Sequence, residues 1–244
     1  MTPERREGVT PARPHRKLTD DGRPVREVLT YSRRGSRFTP KQQTAWDAYA
    51  DRWVVPDEAV DASDFAWSDW FGREAPMVVE IGGGVGEATA ALAARRPSSN
   101  FLALEVWLPG VADGLARVGE AGLDNVRFCS VDAVWLFENR IAEASVRELW
   151  TFFPDPWHKK RHHKRRLVTP PHAHLLASRL VEGGTWRLAT DWAEYAEQMA
   201  EVLDAEPLLE GGRTERWDER PLTKFERKGI AVGRDIADLA YRRV

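Results

Sequence analysis

Residues 77–87 read Met-Val-Val-Glu80-Ile-Gly82-Gly83-Gly84-Val-Gly86-Glu87, a short apolar run that breaks into glycines just before an alanine-rich stretch. The run has the length and β-branched content of a buried strand, and the alanines beyond it favour a helix. Glycines at such a junction let a ligand come close to the backbone. From Met77 onward, short apolar runs alternate with helical stretches. Strands are predicted over 77–81, 100–105, 126–131, 148–153 and 185–190, helices over 87–96, 111–121, 133–142, 172–181 and 193–205, and a last strand within 234–244. That alternation is the signature of βαβ units, and so of an α/β fold with a doubly wound, mostly parallel sheet.

Upstream of this pattern, residues 1–38 are rich in Pro, Gly and Arg, show no sustained hydrophobic period, and are predicted to form a flexible basic arm. Residues 39–244 then make one domain. It opens with a helix capped by Thr39, with Pro40 at its first position and Trp46, Tyr49 and Trp53 on the face that packs inward. A chain of 244 residues can bury one substantial core. Its 36 Lys and Arg against 38 Asp and Glu leave a net charge of −2, so attraction to nucleic acid must come from local clustering. The single Cys129 excludes an intramolecular disulfide and fits a reducing, cytoplasmic setting. The arm lacks the apolar run of a signal peptide or membrane span.

The glycine segment fits the dinucleotide fingerprint poorly, because Glu87 falls where its third glycine belongs, and carboxylates at 80 and 87 would repel a pyrophosphate. A zwitterionic methionine moiety suits the site better: helix N-terminal amides would take its carboxylate and Glu80 would face its ammonium. Glu105 ends the second strand about twenty residues later, where an acid can accept from both ribose hydroxyls. Asp132 follows the third strand, placed to accept from an adenine amino group. Taken alone, the glycines would also fit a tight turn and the acids solvated caps.

The fourth strand runs into Phe153-Pro154-Asp155-Pro156-Trp157, where two prolines restrict the backbone around one carboxylate. A fixed carboxylate beside an aromatic can orient a planar base. Lys159-Lys160-Arg161-His162-His163-Lys164-Arg165-Arg166 comes next, and its cations suit phosphates. A metal site built from His158, His162 and His163 is the weaker alternative, since the surrounding cations oppose it. Asp191-Trp192 and Thr223-Lys224-Phe225-Glu226 each add hydrogen-bonding groups next to an aromatic.

In this order the motifs resemble the bacterial tRNA (guanine-N7-)-methyltransferase family known as TrmB, from about Tyr31 to the C-terminus. F-P-D-P-W-H-K-K-R-H-H-K-R-R at 153–166 is the most specific match. E-I-G-G-G-V-G at 80–86, L-E-V at 104–106, P-G at 109 and 110, D-A at 132, A-T-D-W at 189–192 and T-K-F-E at 223–226 support it. The resemblance implies a class I, Rossmann-like methyltransferase with a seven-stranded sheet and helices on both faces. It further implies S-adenosylmethionine as cofactor, no metal, and tRNA as partner of a monomer or homodimer. The implied target is guanine 46 of the variable loop. Glu80, Gly82, Gly84, Gly86, Glu105, Asp132 and Asp155 correspond to the cofactor site, with Asp155 also catalytic. Lys159, Asp191 and Thr223 to Glu226 correspond to substrate contacts, and Arg161, His162, His163, Lys164, Arg165 and Arg166 to an RNA-binding segment. Gly83, His158 and Trp107 depart from the family pattern, which usually has a bulky residue, a proline and a smaller or more polar residue there.

Overall fold

A computed structural model describes residues 28–32 and 35–244; most of the predicted arm, residues 1–27 with 33 and 34, lies outside the described residues. Chain order is α1 (Pro40–Trp53), β1 (Val54–Val55), α2 (Asp57–Asp61), α3 (Trp67–Phe71), β2 (Met77–Ile81), α4 (Glu87–Arg95), β3 (Asn100–Leu104), α5 (Leu108–Glu120), β4 (Val126–Cys129), α6 (Ala133–Asn139), β5 (Val146–Phe152), a 3-10 helix (Lys160–Arg165), α7 (Pro170–Arg179), β6 (Leu180–Thr190), α8 (Ala193–Asp204), β7 (Leu209–Thr214), α9 (Lys224–Ala231) and β8 (Ala237–Arg243).

The strands form one sheet in the order β1-β4-β3-β2-β5-β6-β8-β7, parallel except for β8, which runs antiparallel to both its neighbours. Eight strands replace the seven expected, because the two-residue β1 adds an edge beside β4. Strand alternation sorts the buried side chains into two cores. Val78, Phe101, Ala103 and Trp150 point to the face covered by α4 and α5, where Leu92, Val111 and Leu115 meet them. Val79, Leu102, Leu104 and Leu149 point to the other face, against Leu136, Leu176, Tyr195 and Met199 of α6, α7 and α8.

The order in which strands are added reverses between the parallel neighbours β2 and β5: β2 leads outward to β3 and β4, while β5 leads the other way to β6. Such a switch opens a crevice beyond the carboxyl ends of the strands. The first helix carries the expected cap, with Thr39 N–H donating to Gln42 Oε1 at 2.9 Å and Gln42 N–H to Thr39 Oγ1 at 3.3 Å, a reciprocal box that contributes about 1 kcal/mol. It lies on α5, where the Gln42 amide donates to Pro109 O and Asp113 Oδ2, both at 3.1 Å.

Candidate active site

The strand ends meet around a cavity of about 310 Å³, walled by Ile81, Gly82 and Gly84 after β2, Glu105 and Trp107 after β3, Val131 and Ala133 around β4, residues 152–156 after β5, and Asp191 after β6. Gly82, Gly84 and Gly86 all take positive φ, which side chains other than glycine adopt only with strain. Backbone N–H groups of Gly82 and Gly83 donate to Leu104 O at 2.8 and 3.1 Å, fastening the turn to β3. Glu105 finishes the job: its Oε2 accepts from Gly84 N at 2.8 Å and its Oε1 from Trp107 N at 2.7 Å. Gly110 explains the Pro-Gly pair, since a Cβ there would stand 2.4 Å from Gly84 O.

Glu80 is not on the cavity wall but buried beneath the turn, where the Thr89 hydroxyl donates to it. Burial raises its pKa to about 7, against the lowering hydrogen bonds of Thr89 and with a further push from the charge of Glu105. Asp132 also stands behind the wall and caps α6, accepting from Trp135 N at 3.0 Å.

On the opposite wall, Phe153 and Trp157 bracket Asp155 with φ of 54° and 49°, and Phe153 N–H donates to Ala189 O at 2.8 Å. The Asp155 carboxylate accepts from Ser32 N at 3.2 Å. Sequence reasoning assigned Thr30, Tyr31 and Ser32 no place here, yet they line the cavity. The indole N–H of Trp157 donates to Thr30 O at 3.2 Å, and Arg165 donates to Leu29 O at 2.9 Å and Tyr31 O at 2.7 Å. His158, also on the wall, packs its ring 4.1 Å from that of Trp192, and Arg234 donates to Asp191 at 2.6 Å.

The profile of a family described as putative methyltransferases matches residues 74–239. A tRNA (guanine-N(7)-)-methyltransferase of Nocardioides sp. (strain ATCC BAA-499 / JS614) is 67% identical over 237 residues, covering 97% of this chain and 96% of that protein. The chain belongs to the tRNA (guanine-N(7)-)-methyltransferase family. Proteins of the same description from Cutibacterium acnes and Burkholderia cenocepacia are 47% and 48% identical, covering 90% and 89% of this chain and 84% and 86% of theirs. Among solved structures, the 16S rRNA methyltransferase KamB superposes with a TM-score of 0.56 at 17% identity, covering 75% of this chain and 94% of that one, which shows the shared fold.

In this member of the tRNA (guanine-N(7)-)-methyltransferase family, three residues expected at the substrate are instead sealed inside. Arg166 has no exposed side-chain surface: it donates to Pro156 O at 2.9 Å and to Glu194 Oε1 at 3.0 Å and stacks on Tyr195. A phosphate cannot reach it, so it leaves the RNA-binding set. Glu226 is 1% exposed, bonded to Arg216 and Arg220, and makes no outward contact. Thr223 is buried too, as the cap of α9, accepting from Glu226 N at 3.3 Å. Lys159, Arg161 and Lys164 stay exposed, while Arg165, stacked 3.6 Å above Trp157, spends its donors on residues 29 and 31. Burial and then the charges of Arg161, Arg165, Lys159 and Lys164 lower the His162 pKa. Among the described residues, no three His, Cys, Asp or Glu side chains gather as metal ligands.

Proposed function

We propose that this protein methylates N7 of a guanine in tRNA, at position 46 of the variable loop, with S-adenosylmethionine as donor. The observation that carries this reading is the facing of two walls across one cavity: a glycine turn fastened by Glu105 on one side, and the rigid turn bearing Asp155, beside exposed cations, on the other. The first wall fits the cofactor. Its turn leads straight into the N-terminus of α4, a setting for the methionine carboxylate, with Glu80 beneath it for the ammonium. Glu105 keeps acceptor capacity for ribose hydroxyls, Gly82, Gly84 and Gly86 supply the close approach, and Asp132, as a helix cap, acts on the adenine side through the placement of Val131 and Ala133.

When bound, S-adenosylmethionine supplies an electrophilic methyl carbon on a sulfonium, so the guanine ring takes up the positive charge that sulfur gives up. Guanine N7 has a lone pair and no proton, so no strong general base is needed. The chain's tasks are alignment and charge stabilisation. Asp155 holds the base edge and offsets the charge growing on the ring; Asp191, Lys224 and Phe225 frame the base, and Lys159, Arg161, His162, His163 and Lys164 hold phosphates. A loop guanine suits this cavity better than one in the deep groove of A-form RNA. A cytoplasmic place of action goes with this reading; among the described residues no helix is long and apolar enough to cross a membrane.

The direct test incubates the protein with labelled cofactor and unmodified tRNA and maps the product. Label at N7 of the variable-loop guanine is expected; label at another base, or none, overturns the proposal. The buried Glu80 adds a pH dependence. With its pKa raised to about 7, it holds a proton that the unfolded chain, titrating near 4.5, releases earlier, so its effect on stability declines as pH rises between these values. An ammonium bound above the turn would favour the ionised form of the carboxylate beneath it by charge alone. Affinity is therefore expected to climb from about pH 5.5 to about pH 7, below the range in which an α-amino group deprotonates. Calorimetry at several pH values checks this, and Glu80→Gln should flatten the profile.

A further inference from the structure

Arg220, like Arg166, carries a guanidinium with no exposed side-chain surface. It grips Asp238 of β8 with two hydrogen bonds of 2.6 and 3.0 Å and Glu226 of α9 with one of 3.1 Å. Its guanidinium carbon lies 5.2 Å from the ring of Phe152 and 5.7 Å from that of Phe153, the residue that opens the Asp155 turn. Arg216 completes the group, donating to Glu226 at 2.7 and 3.2 Å and to Arg220 O at 2.7 Å. Two cations and two carboxylates balance, the condition under which buried charge is tolerated. Burial pushes the Glu226 carboxyl up, but hydrogen bonds and charge from Arg216 and Arg220 outweigh it and hold the group below the usual carboxylate range.

The same helix meets the cavity one residue away from Glu226. Phe225 lines the cavity, its ring 3.5 Å from where a Cβ would stand on Gly84. On the outer side, Arg227 donates to Glu87 at 2.8 Å, and Gly229 sits so close to Asp191 that a Cβ would be 3.0 Å from its neighbour there. One buried guanidinium thus touches both the helix that leans on the cofactor turn and the aromatic pair that leads into the Asp155 turn.

We infer that Arg220, with Arg216, Glu226 and Asp238, is a positioning device that holds Phe225 against the glycine turn and Phe153 under Asp155, and that Glu226 serves the reaction through Phe225 without touching RNA. This deepens the methyl-transfer reading and rests on it for the cofactor's identity. Breaking the network loosens one wall of the cofactor cavity, so its loss is read in cofactor affinity while the exposed phosphate-binding cations are left in place.

The experiment measures S-adenosylmethionine binding by calorimetry and tRNA binding across a salt series for the wild type, Glu226→Gln, Phe225→Ala, the double variant and Arg220→Lys. Glu226→Gln and Phe225→Ala are each expected to weaken cofactor binding about tenfold, and the double variant no more than the worse single, because both act through one contact. Arg220→Lys, which keeps the charge and loses the paired donors, gives a smaller loss. The tRNA salt slope of Glu226→Gln stays that of the wild type. Multiplied losses in the double variant overturn the inference, as does weakened tRNA binding by Glu226→Gln with cofactor affinity unchanged. So does failure of both Glu226→Gln and Arg220→Lys to unfold cooperatively, which makes the network a folding element. The coupled pattern among the variants, with a wild type that methylates no tRNA guanine, sinks the proposed function alone; a wild type that binds no cofactor sinks both.

Discussion

Asp155→Ala is expected to slow methylation of already bound tRNA by about 10²-fold, the scale on which one preorganised electrostatic partner acts. The carboxylate stands on a turn that has little freedom to move: prolines flank it, Phe153 and Trp157 are held at positive φ, and Phe153 is hydrogen-bonded to the end of β6. A group fixed in advance loses little to reorganisation when charge appears on the base, so its effect falls on the chemical step. Single-turnover assays at saturating tRNA and cofactor read that step. Asp155→Asn separates the two contributions, since it keeps an acceptor for the base edge and loses the negative charge. A rate near that of the wild type assigns the role to orientation, and one near that of Asp155→Ala assigns it to charge. An unchanged rate in Asp155→Ala, with the protein folded, removes Asp155 from the mechanism.

What the sequence revealed follows from which interactions leave a periodic trace. β2, α4 and β3 were legible because burial on both faces of a sheet writes continuous apolar runs, and the glycine turn because only glycine tolerates its backbone. Thr39 and Pro40 announced the start of α1, the one as cap and the other at the first helical position, while the reciprocal bond of Gln42 went unread. β7 went unread: it is an edge strand with two glycines and one buried residue in six, so it has neither alternation nor apolar content. The helix α9 was missed for a related reason, since what seats it is a set of ion pairs to Glu87, Arg216 and Arg220. The docking of residues 29–32 at the site left no trace in their composition, because Trp157 and Arg165 donate to their backbone carbonyls and Asp155 accepts from a backbone amide among them. Within the basic run the limit is sharper. Lys164 and Arg166 are two residues apart and of one charge, yet one is exposed and the other sealed, a difference set by Tyr195 and Glu194 on a helix about thirty residues later.

That difference leads to opposite expected results for neighbouring substitutions. Arg166→Ala removes a side chain with no exposed surface, leaving a cavity beside Tyr195 and depriving Pro156 O of its donor. Glu194 is more than half exposed and regains water, so the ion pair itself contributes little, and the loss is one of packing and of an unsatisfied carbonyl. A destabilisation of about 2–4 kcal/mol is expected, lowering the thermal midpoint by about 5–15 °C for a chain of this size. Because Pro156 adjoins Asp155, turnover falls as well, while the salt dependence of tRNA binding is retained. Replacing Lys159, Arg161 and Lys164 together by Ala should do the reverse. Exposed cations contribute little to folding, so the thermal midpoint stays within about 2 °C, but three lost phosphate contacts reduce the slope of log affinity against log salt by about 2 to 3. Thermal unfolding and a salt titration, run on both variants, decide the matter. A stable Arg166→Ala protein with a flattened slope would return Arg166 to the RNA surface and contradict the burial on which the architecture of this segment depends.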